Sequence, residues 1–249
     1  MPRFGLIGKS LSHSFSQKYF SEKFTELGLS DHSYENFEIP NINDIPDVIK
    51  SNPDLKGLNV TIPYKTEVIP FLDELSEAAA KVGAVNTIEI QIKQEEIRLI
   101  GHNTDVIGFK ESIRPVLKGF QHKALILGTG GASKAVDYVF SNLGLDVLFV
   151  SRNPSKSNEV AYSELNEIAL QQFLVVANTS PLGTYPNVNE CPDIPYQFLG
   201  ERHLLLDLVY NPEETLFMKK GKEQGASVRN GYAMLVGQAE AAWVIWNNK

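Results

Sequence analysis

Lys65 closes a stretch, Gly57-Leu58-Asn59-Val60-Thr61-Ile62-Pro63-Tyr64, in which polar and apolar residues alternate. As a strand this segment turns Asn59 and Thr61 to one face and Leu58, Val60 and Ile62 to the other. Pro63 cannot donate to a ladder and ends the strand. Lys65 is thereby left at the carboxyl edge of a sheet, where open α/β sheets hold their ligands. A lone lysine after a strand is ordinarily a solvated charge; the company of Asn86 and Asp105 changes its weight. Asn86 opens one later strand, and Asp105 lies just past the end of the next. An amine at such an edge can pass a proton to and from an oxygen that alternates between carbonyl and hydroxyl.

A second set of residues supplies the other half of such a reaction. The apolar strand Lys123-Ala124-Leu125-Ile126-Leu127 runs directly into Gly128-Thr129-Gly130-Gly131-Ala132-Ser133, and a helix follows through Val136, Val139 and Leu143. Strand, glycine turn and helix amino terminus together make a dinucleotide pyrophosphate site. Ser133 stands at the third glycine position and is small enough for helix and strand to approach closely. The next strand, Leu145 to Val150, ends in Ser151-Arg152-Asn153. An acidic residue at such a tip binds ribose hydroxyls, whereas an arginine suits a 2′-phosphate. Arg152, with Lys156 nearby, therefore points to NADP. A ketone would take its hydride from that cofactor and its proton from Lys65. No paired Cys or His-x-x-x-His is present to hold zinc, so a metal-polarised carbonyl is disfavoured and no metal is expected.

The 249 residues, 43% of them hydrophobic, can bury a sizeable core as one large domain or two small ones. A formal charge of −7 leaves no basic surplus for a nucleic acid, and no Lys/Arg run marks a membrane surface. Cys191 stands alone, so no internal disulfide forms and a reducing cytoplasm fits. The apolar run at the amino terminus is too short for a signal peptide, and no stretch approaches the ~20 apolar residues of a membrane span.

The positioning elements read as alternating β and α units. Phe4 to Gly8 is a buried strand, and the loop Lys9 to Ser16 enters a helix bearing Tyr19, Phe20, Phe24 and Leu27, ended at Gly28. Ser14 or Ser16 suits its N-cap. Ser33 to Ile39 is a strand, and 42–49 a short helix with Ile45, Val48 and Ile49 on one side. Helices are predicted over 67–75 and 76–82, the second capped by Ser76. Two strands, 85–90 and 97–101, are joined by the turn 93–96 and form an antiparallel edge on a mostly parallel sheet. A helix over 106–117 leads to a boundary at 118–122. Strands at 173–178 and 203–212, a helix over 213–222 and a short strand at 226–229 complete a Rossmann-like unit. The last helix, 230–246, carries Gln238 in an apolar stripe with Met234, Ala241, Ala242 and Ile245, where a buried amide needs a partner.

Three stretches resemble the signatures of the shikimate dehydrogenase family: Gly57-x-Asn59-Val60-Thr61-x-Pro63-x-Lys65, Gly83-Ala84-Val85-Asn86-Thr87 and Asn103-Thr104-Asp105-x-x-Gly108. The resemblance covers nearly the whole chain. It implies an α/β protein with a substrate-binding catalytic domain over 1–105, a Rossmann-like NADP domain over 106–229, and a terminal helix over 230–249 that returns to the first domain. It also implies reversible NADPH-dependent reduction of 3-dehydroshikimate to shikimate, in chorismate and aromatic amino-acid biosynthesis.

The residue roles it implies are specific. Ser14 and Ser16 take a ligand carboxylate, and Asn59, Thr61, Asn86, Asp105 and Gln238 orient hydroxyls. Thr179, in Thr179-Ser180-Pro181-Leu182-Gly183, lies beside the nicotinamide. Leu208 and Tyr210 face nicotinamide and substrate, and Gly231 belongs to the cofactor side with Gly128 to Ala132, Ser151 to Asn153 and Lys156. This chain departs from the usual family loop, with Lys9-Ser10 in place of Asn-Pro and Gln17 in place of Pro, which bears on loop rigidity. His13 matches the family but reads as structural.

Two rivals stay open: a paralogue acting on quinate or another cyclic hydroxy acid with NAD or NADP, and a nucleotide-sensing binding protein without turnover. The expected partner is a small-molecule substrate, with no nucleic acid or membrane, for a cytoplasmic monomer or homodimer.

Overall fold

The computed structural model describes residues 1–11, 14–94 and 96–247; Ser12, His13, Glu95 and residues 248–249 lie outside the described residues. By its internal contacts the chain divides into two units: Met1–Thr104 with the segment from Ala239 onward, and Asp105–Gln238.

The first unit runs β1 (Arg3–Gly8), α1 (Phe15–Glu26), β2 (Ser33–Glu38), α2 (Ile45–Ser51), β3 (Leu55–Val60), β4 (Glu74–Leu75), α3 (Glu77–Val82), β5 (Thr87–Lys93) and β6 (Glu96–His102). Its strands lie in the order β2-β1-β3-β5-β6-β4. β1 pairs in parallel with β2 and β3, and β5 and β6 form an antiparallel hairpin against β3. One face of this sheet packs Ile7, Leu58, Val60, Val85 and Ile88 against Ile45 and Val68.

Three expectations are corrected here. The 67–75 segment is not a helix: a single 3₁₀ turn, Ile69–Phe71, carries Pro70 and ends in extended backbone at Leu72. Asp73 then donates its N–H to Leu99 O at 2.9 Å and accepts the Leu99 N–H on Oδ2 at 2.7 Å. Capture by β6 outweighs the local helical spacing. β4 pairs in parallel with β6, so the hairpin is not the edge of the sheet. Ile62 is 78% exposed, because β3 has ended at Val60 and the alternation no longer governs its direction.

The second unit contains α4 (Thr104–Ile113) from its second residue on, β7 (Lys123–Leu127), α5 (Gly131–Asn142), β8 (Asp146–Ser151), β9 (Glu159–Ala161), α6 (Glu167–Gln172), β10 (Val175–Asn178), β11 (Leu204–Asp207), α7 (Leu216–Glu223) and β12 (Ser227–Arg229), and α8 (Tyr232–Asn247) begins in it. α4 stops short of the expected Leu117, since Pro115 has no N–H to continue the ladder. β9 and α6 were not expected from the sequence. All strand pairs are parallel, in the order β12-β11-β10-β7-β8-β9. The chain starts in the middle and winds outward both ways, so the order reverses between β7 and β10. A doubly wound sheet binds nucleotides at the carboxyl ends of strands flanking such a reversal.

The later half of α8 belongs to the first unit. Ala239, Ala242 and Trp246 are buried with Phe4, Leu6, Phe20 and Tyr34 on the sheet face opposite Ile7 and Leu58. Trp246 donates its indole N–H to Ile88 O at 3.0 Å. A Cβ on Gly57 would come within 2.0 Å of that indole nitrogen, so only glycine lets the ring lie on β3. Lys23 on α1 donates to both oxygens of the Glu240 carboxylate, at 2.7 and 2.8 Å. Among the described residues, no helix is long and apolar enough to cross a membrane.

Candidate active site

At the carboxyl edge of β3 the polar side chains of the first unit bind one another before they could bind anything else. Asn59, 4% exposed, accepts the Tyr34 hydroxyl on Oδ1 at 2.7 Å and donates to Thr87 Oγ1 at 3.1 Å and Asn86 O at 3.3 Å. The Asn86 side chain accepts the Thr104 N–H at 2.6 Å and donates to Thr104 Oγ1 at 2.9 Å. The Thr87 and Thr104 hydroxyls are 3.0 Å apart. Each buried amide is thus engaged, as buried polar groups must be, and the network fixes the ends of β3, β5 and β6 in register.

Lys65 and Asp105 are anchored to this platform through the main chain. The Lys65 carbonyl accepts the Val85 N–H at 2.7 Å. Its neighbour Tyr64 is 2% exposed and donates its hydroxyl to Ile39 O at 2.7 Å, which pins the turn after β3. Thr104, locked to Asn86, is covalently followed by Asp105 in the first turn of α4, where a carboxylate meets the positive end of the helix dipole. Both side chains are half-buried, as is Thr61, whose N–H donates to Ile7 O at 2.9 Å.

Ser14 is the N-cap of α1 and accepts the Gln17 N–H on Oγ at 3.2 Å. Ser16 is the second residue of α1; burial pushes the Tyr34 phenol well above its usual pKa, and Ser16 opposes the rise only in part. Tyr34 stays protonated and donates to Asn59.

The second unit offers bare backbone instead. Gly128 has φ +107°, a conformation that excludes ordinary side chains, and its N–H donates to Val150 O at 2.9 Å. Gly130 caps α5 without a side-chain bond, and a Cβ on Gly130 or Gly131 would meet nothing within 4 Å. The first turn of a twelve-residue helix thus faces open space with its N–H groups unclaimed by side chains, which fits a pyrophosphate. Ser133 is 1% exposed and turns its hydroxyl back to Gly130 O at 2.6 Å, so the variant third position closes the loop on itself. At the end of β8, Ser151 Oγ accepts the Asn153 N–H at 3.2 Å and Arg152 is exposed. Lys156 pairs with Glu159 at 3.8 Å.

Two further loops follow β10 and β11. Thr179 donates both its N–H and its hydroxyl to Leu127 O, at 3.0 and 2.9 Å. Leu208 is half-buried and Tyr210 is 41% exposed. A Cβ on Gly231 would lie 2.1 Å from Leu208 O, so the Leu208 loop closes over a bare backbone. Gln238 is 8% exposed and donates to Leu235 O of its own helix at 2.9 Å, which uses one of its two amide protons.

Sequence reasoning passed over the groups that hold these loops. Asp207 accepts from Asn178 Nδ2 at 3.0 Å, the Val209 N–H at 3.1 Å and the Thr215 hydroxyl at 2.5 Å. Burial raises its pKa to about 6 against those bonds. Asn178 in turn accepts the Ser180 hydroxyl at 2.6 Å. Tyr34 was missed too: its strand could be read, but nothing in Ser33 to Glu38 singles the residue out.

Residues 6–88 match the family model described as the shikimate dehydrogenase substrate binding domain. The chain is 37% identical to the shikimate dehydrogenase (NADP(+)) of Clostridium beijerinckii over 99% of its own length and 92% of that protein's. It belongs to the shikimate dehydrogenase family. Solved structures of shikimate dehydrogenases superpose on the whole chain. One is the Listeria monocytogenes enzyme in complex with shikimate and NAD, with TM-score 0.88, 27% identity and 92% of that chain covered. Another is the Thermus thermophilus enzyme in complex with NADP(H) and shikimate, with TM-score 0.86, 30% identity and 94% covered. Within this family fold Ser14 and the glycine cradle lie at the amino termini of helices, and Asn59 lies at the carboxyl end of β3.

Proposed function

We propose that this chain is an NADP-dependent shikimate dehydrogenase that interconverts 3-dehydroshikimate and shikimate in aromatic amino-acid biosynthesis. The observation that carries the reading is that the Lys65 carbonyl accepts the Val85 N–H while Thr104, the residue before Asp105, gives its N–H to the side chain of the adjacent Asn86. A nicotinamide, when bound, supplies or accepts the hydride. Lys65 Nζ gives its proton to the developing alkoxide oxygen and takes it back in the reverse direction. Asp105 accepts a hydrogen bond from a neighbouring ring hydroxyl and keeps the ammonium in place. Positioned proton transfer of this kind contributes on the order of 10²–10⁴ in rate. Ser14 and Ser16 receive the carboxylate, and Asn59, Thr61, Asn86, Tyr210 and Gln238 face the remaining substrate groups.

The Gly128 to Ala132 loop would hold the pyrophosphate, Thr179, Leu208 and Gly231 would border the nicotinamide, and Arg152 would meet the 2′-phosphate, flanked by Ser151 and Asn153. Lys156, already paired with Glu159, would contribute less. The lone Cys191 is compatible with the cytoplasm.

Initial rates with shikimate and quinate, each against NADP⁺ and NAD⁺, test the proposal by the absorbance of the reduced nicotinamide. The largest kcat/KM is expected for shikimate with NADP⁺. A preference for quinate would transfer the chain to the paralogous reading, and no reduction with any pair would leave a binding protein.

A further inference from the structure

The loop that carries Ser14 and Ser16 is gripped by one face of β2. Alternate residues of a strand share a face, so Tyr34, Asn36 and Glu38 project together. Ser16 acts on the Tyr34 phenol against the effect of burial. Asn36 Nδ2 donates to Leu11 O at 3.3 Å and to Gln17 Oε1 at 3.0 Å, and Glu38 Oε1 accepts the Leu11 N–H at 2.6 Å. Leu11, 6% exposed, is the pivot, because its carbonyl also accepts the Ser14 N–H at 3.2 Å. The Leu11 carbonyl can only accept, which fixes the orientation of the Asn36 amide.

That orientation leaves Asn36 Oδ1 buried with no hydrogen-bond partner among the described residues. An unpaired buried carbonyl costs stability, so an apolar residue would serve β2 better if folding were all that Asn36 served. Its two donated bonds end on either side of Ser14, one on Leu11 in the loop and one on Gln17 in the first turn of α1, where the family usually has a proline. A proline restricts the chain by its ring; here a side-chain bond from β2 does the equivalent.

We infer that Asn36 is a positioning residue which, through Leu11 and Gln17, holds Ser14 and Ser16 in the geometry that binds the substrate carboxylate. The inference rests on the proposed role of those serines. It assigns Asn36 to ground-state recognition of one end of the substrate and gives it no part in hydride or proton transfer.

The test is Asn36→Leu in the full chain, assayed with shikimate and its methyl ester. KM for shikimate is expected to rise about fivefold, the worth of one hydrogen bond, with kcat within twofold and the melting temperature unchanged or higher. KM for the ester should be the same in variant and wild type. In a double-mutant cycle, Gln17→Ala should add little to Asn36→Leu. An unchanged KM, or an equal rise for acid and ester, would overturn the inference. If the wild type does not turn over shikimate at all, the functional reading has failed separately. The clasp is then read by hydrogen exchange at the Ser14 and Gln17 amides, expected to be faster in Asn36→Leu; unchanged exchange would refute it.

Discussion

The first unit presents its chemistry through side chains and the second through exposed backbone. Around Asn59 and Asn86 nearly every polar atom is bound to another protein atom, so recognition and folding share the same groups. At Gly130 and Gly131 there is no side chain and nothing for one to touch. The difference teaches where function can be removed cleanly: a substitution in the glycine turn should cost ligand and spare the fold, whereas one in the network should cost both.

Lys65 is the exception within the first unit, since its carbonyl carries the anchoring bond while its side chain is only half-buried; it gives the largest expected effect. Lys65→Ala should lower kcat by about 10²–10⁴ and leave the melting temperature nearly unchanged; a kcat within a few fold of wild type would remove Lys65 from the chemistry. Next, Gly130→Val places a side chain in the open space at the start of α5. NADP⁺ affinity, measured by titration calorimetry, should fall on the order of tenfold to a hundredfold, the range for hydrogen bonds to a charged group. Thermal stability should hold, and a large loss of it would show that the loop is as structurally committed as the network.

Asp207 sharpens the contrast from inside the second unit, as a buried carboxyl with a raised pKa, about 6. Between the ordinary carboxylate value and about 6, the folded chain keeps a proton that the unfolded chain releases. The unfolding free energy should therefore fall as pH rises through that window, by on the order of 2–3 kcal/mol, and be flat above it. Asp207→Asn can keep all three bonds, with its amide nitrogen toward Thr215 Oγ1, and should abolish this part of the slope in denaturant titrations. An identical slope in the variant would assign it to other groups. The smallest effect is expected at the exposed tip of β8, where Arg152→Ala should reduce the preference for NADP⁺ over NAD⁺ about tenfold, read as a ratio of kcat/KM values.

What the sequence made legible follows the same division. The β7–glycine–α5 turn is contiguous, so strand, bare loop and helix start could all be read from a dozen neighbouring residues. The alternation of Asn59 with Val60 likewise announced a strand, though not that it would stop at Val60 and leave Ile62 in solvent. The 67–75 segment carried helical spacing, and only its pairing with β6, far along the chain, makes part of it a strand. Asn86 could be read as polar and placed, but its partner Thr104 comes from the far side of a hairpin. Tyr34 and Asp207 offered no local sign of chemistry, because their importance lies in what they hold.

The indole of Trp246 completes the face of the first sheet that Phe4 begins. During synthesis, then, the opening hundred residues leave the ribosome without the ring that covers them, while the intervening Asp105–Gln238 unit emerges with all its own strands. The region made first is expected to be the last to finish folding, and to present uncovered aromatic surface to chaperones until the final turns of α8 are released.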